Sequence, residues 1–145
     1  MIRPVGKGDQ AEWLRMRRLL WPETSVAEHE DEMNGYFIRG ENLFTCVAEK
    51  AEKKLIGFLE ANIRIYAEDC DSINVGYIEG WFVDADFRRT GAGGMMVRHA
   101  EQWALSRGCK EIASDCELTN EVSLKAHLCL GYQDTSRLIH FKKRL

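Results

Sequence analysis

Two arginines set against three glycines, in the stretch Arg88-Arg89-Thr90-Gly91-Ala92-Gly93-Gly94, are the residues of this chain best suited to hold an anion. The stretch follows the apolar run YIEGWFV and precedes an amphipathic helix pattern, so it lies where a strand ends and a helix begins. The first backbone N–H groups of a helix have no intrahelical acceptor, and the helix dipole adds favourable potential there. Glycines leave those groups unobstructed, and Arg88 and Arg89 add positive charge at the rim. No Gly-Lys-Ser/Thr follows, and the spacing departs from Gly-x-Gly-x-x-Gly, so the turn is neither a P-loop nor a dinucleotide fingerprint.

A second chemistry is carried by carboxylates. Three windows free of Lys and Arg, residues 19–38, 65–87 and 111–124, hold fifteen of the twenty-three acids. If the fold brings them together they form a negative cleft that concentrates a cationic ligand and repels nucleic acid. No nucleic-acid partner is therefore expected.

These groups must be positioned by regular elements, and the chain alternates strand and helix patterns. Residues 2–5 read as a short strand. Asp9, with Glu12 three residues later, reads as a capping box opening a helix that stops at Pro22, and a second helix is expected over 26–38. LFTCVAE, LIGFLEANIRIY and YIEGWFV read as three strands. A helix over about 93–107 then closes on Gly108. The strand EIASDC, a helix from near Asn120 to Gly131, and a last strand RLIHFKK complete the order β-α-α-β-β-β-α-β-α-β. That order predicts an α/β (α+β) fold, a mixed central sheet flanked by helices.

With 145 residues, of which 45% are hydrophobic and 30% charged, one domain over 1–145 is expected. Neither a signal-type leader nor a membrane-length apolar run is present, and a cytoplasmic protein without membrane partners is expected. Five cysteines, odd in number and without Cys-x-x-Cys, argue against a disulfide framework and against a metal site.

Arg88-x-x-Gly91-x-Gly93 resembles the Arg/Gln-x-x-Gly-x-Gly/Ala signature of the GCN5-related N-acetyltransferases, and the element order is similar to their fold. NEVSLKAHLCLGY resembles the same family's Asn-led helix closing on Leu-Gly-aromatic, which places Asn120, Ser123, Gly131 and Tyr132 in register. The resemblance implies acetyl-CoA as co-substrate. It implies a pantetheine arm paired with the backbone of Trp81, Phe82 and Val83, and a pyrophosphate held by Arg88, Arg89, Thr90, Gly91, Ala92 and Gly93. Asn120 is implied at the pantetheine or nucleotide end. Many members carry a tyrosine where this chain has His127.

The segments LRMRRLLWPE, LEANIRIYAEDCDS, YIEGWFVDADFRRTG and EIASDCELTNEVSLKAHLCLGY together are similar to the aminoglycoside 6'-N-acetyltransferases. That similarity implies acceptor contacts from Trp21, Tyr66, Glu79 and Asp115, and a homodimer. The acid windows suit such a polycation. An amine attacks a thioester only as the free base, so a carboxylate or a water chain must receive its proton. Strand alternation places Tyr77, Glu79, Trp81 and Val83 on one face, and Ala113 with Asp115 on one face of the next strand, making Glu79 and Asp115 the candidate catalytic pair, with Asp115 favoured as base. Ser136 stands where such relatives often carry Glu, which bears on the range of drugs. Two other readings stay open at this stage: an acetyltransferase of the same fold for another small cationic amine or a peptide N-terminus, and a non-catalytic acyl-CoA-binding module.

Overall fold

The computed structural model describes residues 1–145, which separate into two compact units, Met1–Ser114 and Asp115–Leu145. The first holds β1 (Ile2–Pro4), α1 (Gln10–Leu20), α2 (Val26–Arg39), β2 (Leu43–Glu49), β3 (Leu55–Arg64), β4 (Val75–Val83), α3 (Ala92–Ser106) and β5 (Ile112–Ser114). The five strands form one sheet in sequential order, antiparallel from β1 to β4 and parallel between β4 and β5. The parallel step is the one that needs a crossover, and α3 supplies it. The second unit carries α4 (Glu121–Cys129).

Side chains explain where each layer sits. Trp13 and Met16 of α1, Met33 of α2, Val47 of β2 and Leu55 and Phe58 of β3 are buried together, so α1 and α2 cover one face of the sheet. On the other face α3 buries Met96, Val97, Ala100 and Ala104. Glycines set its close approach: a Cβ on Gly76 would stand 2.8 Å from that of Ala104, and one on Gly57 would stand 3.1 Å from Met96 Cε.

Local signals decide the helix ends, though not always the ones the sequence suggests. Ser25 Oγ accepts from the Glu28 N–H, and the Glu28 carboxylate accepts in return from the Ser25 N–H, a capping box that starts α2. The backbone and hydroxyl of Ser25 hold the Glu28 carboxyl below its ordinary range. Asp9 occupies the N-cap position of α1 but accepts no capping hydrogen bond from the helix; its carboxylate is taken by the Arg3 guanidinium at 2.7 and 2.9 Å and by the Gly6 N–H. The expected capping box with Glu12 is therefore replaced by an ion pair to β1.

Two expectations need correction. The last strand does not form: residues 133–145 are without regular structure, and Leu138, Ile139 and Phe141 are exposed. A strand is stable only when a neighbouring edge takes up its backbone groups, and RLIHFKK forms no such pairing. The second concerns β4. Glu60 lies opposite Gly80 but Ala61 lies opposite Ile78, so Glu79 is an extra residue, a β-bulge. A bulge reverses the alternation. Tyr77, paired with Asn62, shares the α1–α2 face with Gly80 and Phe82, whereas Trp81 and Val83 turn toward α3. The single face expected for Tyr77, Glu79, Trp81 and Val83 does not exist.

Candidate active site

The bulge divides β4 into two halves with different neighbours. β5 pairs only with Gly76, Tyr77 and Ile78, so from Glu79 to its end β4 has a strand neighbour on the β3 side alone. This second edge, which includes the backbone of Trp81, Phe82 and Val83, is of the kind an extended ligand can add to. The turn that follows is built to leave α3 open at its first N–H groups. Arg88 Nε donates to the Val83 carbonyl oxygen at 3.1 Å, and Thr90 Oγ1 donates to that of Phe87 at 2.7 Å, which folds the loop back on the strand end. Arg89 and Gly91 have left-handed backbones, φ 63° and 88°. Ala92 and Gly93 form the first turn of α3, where no intrahelical acceptor is available. Gly93 has a further reason to be glycine, since a Cβ there would lie 3.0 Å from the Trp81 indole, on which the helix start rests. An elongated phosphate-bearing ligand fits this combination of open strand edge and open helix start.

On the other face of the sheet is a cleft of about 730 Å³, walled by α1, α2 and strands β2 to β4. Its lining includes Trp13, Arg17, Trp21, Glu32, Glu60, Asn62 and Glu79. Gly80 shapes it: a Cβ there would stand 2.6 Å from Trp21 Cζ2, so the bulge and a glycine together admit the indole. Trp21 is further fixed by an edge contact with Phe58, ring centres 6.0 Å apart, and by the Arg17 guanidinium 4.9 Å above it.

Arg17 organises the floor. Its side chain is only 4% exposed, yet it reaches three acceptors on two other elements: Glu60 at 3.0 and 3.2 Å, Nδ1 of the buried His29 at 3.3 Å, and Glu32. Glu60 also accepts from Trp13 Nε1 at 2.7 Å. Burial dominates its chemistry, pushing the carboxyl up to about 7 against the opposing pull of Arg17 and Trp13. Sequence reading missed Glu60; the signal was a lone acid following the apolar run LIGFL, a residue type rarely buried without a partner.

The residues expected from the sequence fall into three groups. Trp21 and Glu79 are brought together in the cleft lining. Glu79 is open to solvent and gripped through one oxygen by Arg64, at 2.9 and 2.6 Å, while that guanidinium stacks 3.5 Å over the Tyr77 ring. Tyr66 stands apart, 68% exposed in the loop after β3 and absent from the lining. That loop is fastened by Glu111, whose carboxylate accepts from the N–H groups of Asp71 and Ser72 and from the Ser72 hydroxyl, contacts that hold it below the usual carboxylate range. In the second unit, Asp115 is exposed beyond β5, and Asn120 caps α4 by accepting from the Ser123 N–H at 3.0 Å. His127 Nδ1 lies 2.8 Å from the Ser123 carbonyl oxygen and its ring meets Tyr132 edge-on, so it is engaged within its own unit.

The sequence model described as the acetyltransferase (GNAT) family matches residues 13–132. An aminoglycoside N(6')-acetyltransferase type 1 of Klebsiella aerogenes is 42% identical, the alignment covering 100% of this chain and 97% of that protein. One from Acinetobacter genomosp. 13 is 37% identical, with 99% and 98% covered. Among solved structures, the apo aminoglycoside 6'-N-acetyltransferase of Acinetobacter haemolyticus superposes with a TM-score of 0.91 at 34% identity, covering 100% and 99% of the two chains. AAC(6')-Iy in complex with the bisubstrate analogue CoA-S-monomethyl-acetylneamine superposes with a TM-score of 0.93 at 33% identity, covering 100% and 98%.

Proposed function

This chain belongs to the GNAT acetyltransferase family, and from that premise we propose that it transfers acetyl from acetyl-CoA to the 6'-amine of an aminoglycoside, a reaction that confers resistance. The observation that carries the reading is that one strand, β4, serves both the acid- and indole-lined cleft and the arginine–glycine turn. An amine held in the cleft is thereby close in the fold to whatever the turn anchors. Curated relatives matching essentially end to end bear the name of this activity.

Acetyl-CoA supplies an activated acetyl thioester. The residues present fit it: the backbone of Trp81, Phe82 and Val83 is assigned to the pantetheine arm. Arg88, Arg89, Thr90, Gly91, Ala92 and Gly93 are assigned to the pyrophosphate. Asn120 is assigned to the pantetheine or nucleotide end through the part of its amide not used in capping α4. Trp21 and Tyr66 are assigned to the acceptor's rings, and Glu79 and Asp115 to its reacting amine. The amine nitrogen forms the new bond to the acetyl carbon as the carbon–sulfur bond breaks and CoA leaves with the electron pair as its thiolate. Asp115, directly or through water, takes the amine's proton, and a backbone N–H at the end of β4, that of Val83, polarises the carbonyl oxygen. His127 is given no step.

The two units act in this reading as a single N-acetyltransferase domain over 1–145, cytoplasmic and homodimeric. No helix is long and apolar enough to cross a membrane. The exposed, strand-patterned segment holding Leu138, Ile139 and Phe141 supports the dimer, because a second chain would supply the edge and the apolar cover it lacks.

The deciding measurement is thiol release from acetyl-CoA with kanamycin, beside a matched acceptor that lacks the 6'-amine and keeps the others. Turnover with the first alone is expected, and equal turnover with both rejects the regiochemistry. Asp115→Asn and Glu79→Gln are expected to lower kcat/KM by about 100-fold or more; near-normal rates in both reject the assignment of the pair.

A further inference from the structure

β3 presents two polar side chains to the cleft that the acetylation reading leaves without a task. Glu60 and Asn62 lie two residues apart on a stretch of β3 whose register shift toward β4 is taken up by the extra β4 residue Glu79, so they share the face that looks toward α1 and α2. Asn62 Oδ1 is shielded from solvent and accepts no hydrogen bond. A buried acceptor without a donor is costly, and it marks a place where a donor is missing from the chain itself. Glu60 is only 16% exposed, and its fixed partners, Trp13 Nε1 and Arg17, approach it from α1. Arg17 divides its single charge between Glu60 on β3 and Glu32 on α2.

The complement of such a pair is a ligand that brings donors and positive charge together. We propose that Glu60 and Asn62 form a second amine-binding subsite on the β3 wall, holding a ring ammonium and a neighbouring hydroxyl of the acceptor other than the amine that is acetylated. The inference rests on the acceptor being a polyamine. It makes the pair specificity-determining: they orient the rings and leave the chemistry at the transferred acetyl to other groups. An acceptor with a single amine would gain nothing from them.

The test uses the full chain, with Glu60→Gln measured by calorimetric titration and by steady-state kinetics. The ligands are kanamycin and derivatives that each lack one ring amine but keep the 6'-amine. Wild-type affinity for kanamycin is expected to fall about tenfold in the variant, with KM rising in step and kcat held within about twofold. The loss should vanish for one derivative, the one without the amine that Glu60 holds. Unchanged affinity, an equal loss for every derivative, or a fall in kcat at constant affinity each overturns the subsite. Should Glu60→Gln lack a cooperative melt, Asn62→Leu, which lies outside the Arg17 cluster, is read in the same cycle with an expected loss of about threefold to tenfold. If wild type releases no thiol with any of these ligands while the amine-specific affinity loss persists, the acetylation reading fails and the subsite stands. If wild type turns over and the cycle is flat, the subsite fails alone.

Discussion

Glu60 shows how one side chain can be shaped by burial more than by its partner. A carboxyl whose folded pKa of about 7 exceeds its ordinary 4.5 binds its proton more tightly in the folded state. Its contribution to stability is thus present at acid pH and is lost as pH rises from about 4.5 through about 7, a change of about 3 kcal/mol. Urea unfolding of wild type and Glu60→Gln at pH 5 and pH 8 reads this directly. Wild type is expected to lose ground against the variant at the higher pH, and a constant difference would mean that Arg17 fully compensates the buried charge. At the same scale, Tyr66 is assigned to the acceptor by resemblance alone, and in this structure it faces solvent.

At the scale of elements, much of the architecture was legible because hydrophobic periodicity and punctuation agree. α3 is the clearest case, with its stripe of Met96, Val97, Ala100 and Ala104 starting after Gly91 and closing before Gly108. The bulge was not legible. Alternation is a rule with period two, and YIEGWFV obeys it on paper; only the pairing of Glu60 with Gly80 and of Ala61 with Ile78 reveals the extra residue. Gly80 was the available hint, since a glycine inside a strand often marks a bulge or a close approach, and here it marks both. Gly80→Ala is expected to force the Trp21 indole from its seat. Destabilisation of about 1–3 kcal/mol should be seen in thermal melts, together with a raised KM for the acceptor and an unchanged KM for acetyl-CoA. A raised KM for both would place the effect on β4 itself. The site was therefore half visible: the anion turn was readable from local types, whereas the cleft depends on long-range contacts that no spacing encodes.

For the whole molecule, composition and charge narrowed the class without naming the acceptor. Strand β4 borders the cleft and leads into the arginine–glycine turn, so in the proposed reading cofactor and acceptor meet at one strand. The segment after α4 is the main departure, patterned as a strand yet unpaired, with Phe141 90% exposed. If a second chain completes it, light scattering will report twice the chain mass, and Phe141→Asp will shift the population toward monomer. A monomeric wild type would remove the homodimer from the reading.

Arg17 carries a consequence for how this sequence can change over time. Removing one partner from a buried ion pair costs about 3–5 kcal/mol, whereas replacing both with well-packed apolar residues is often neutral. Positions 17 and 60 are thus coupled: a single step that strands the buried Arg17 charge is costly, and a paired replacement is open. A lineage that altered its acceptor range by replacing Glu60 with an apolar residue would be expected to replace Arg17 with it, so past selection at this cleft should be recorded as paired substitutions in α1 and β3.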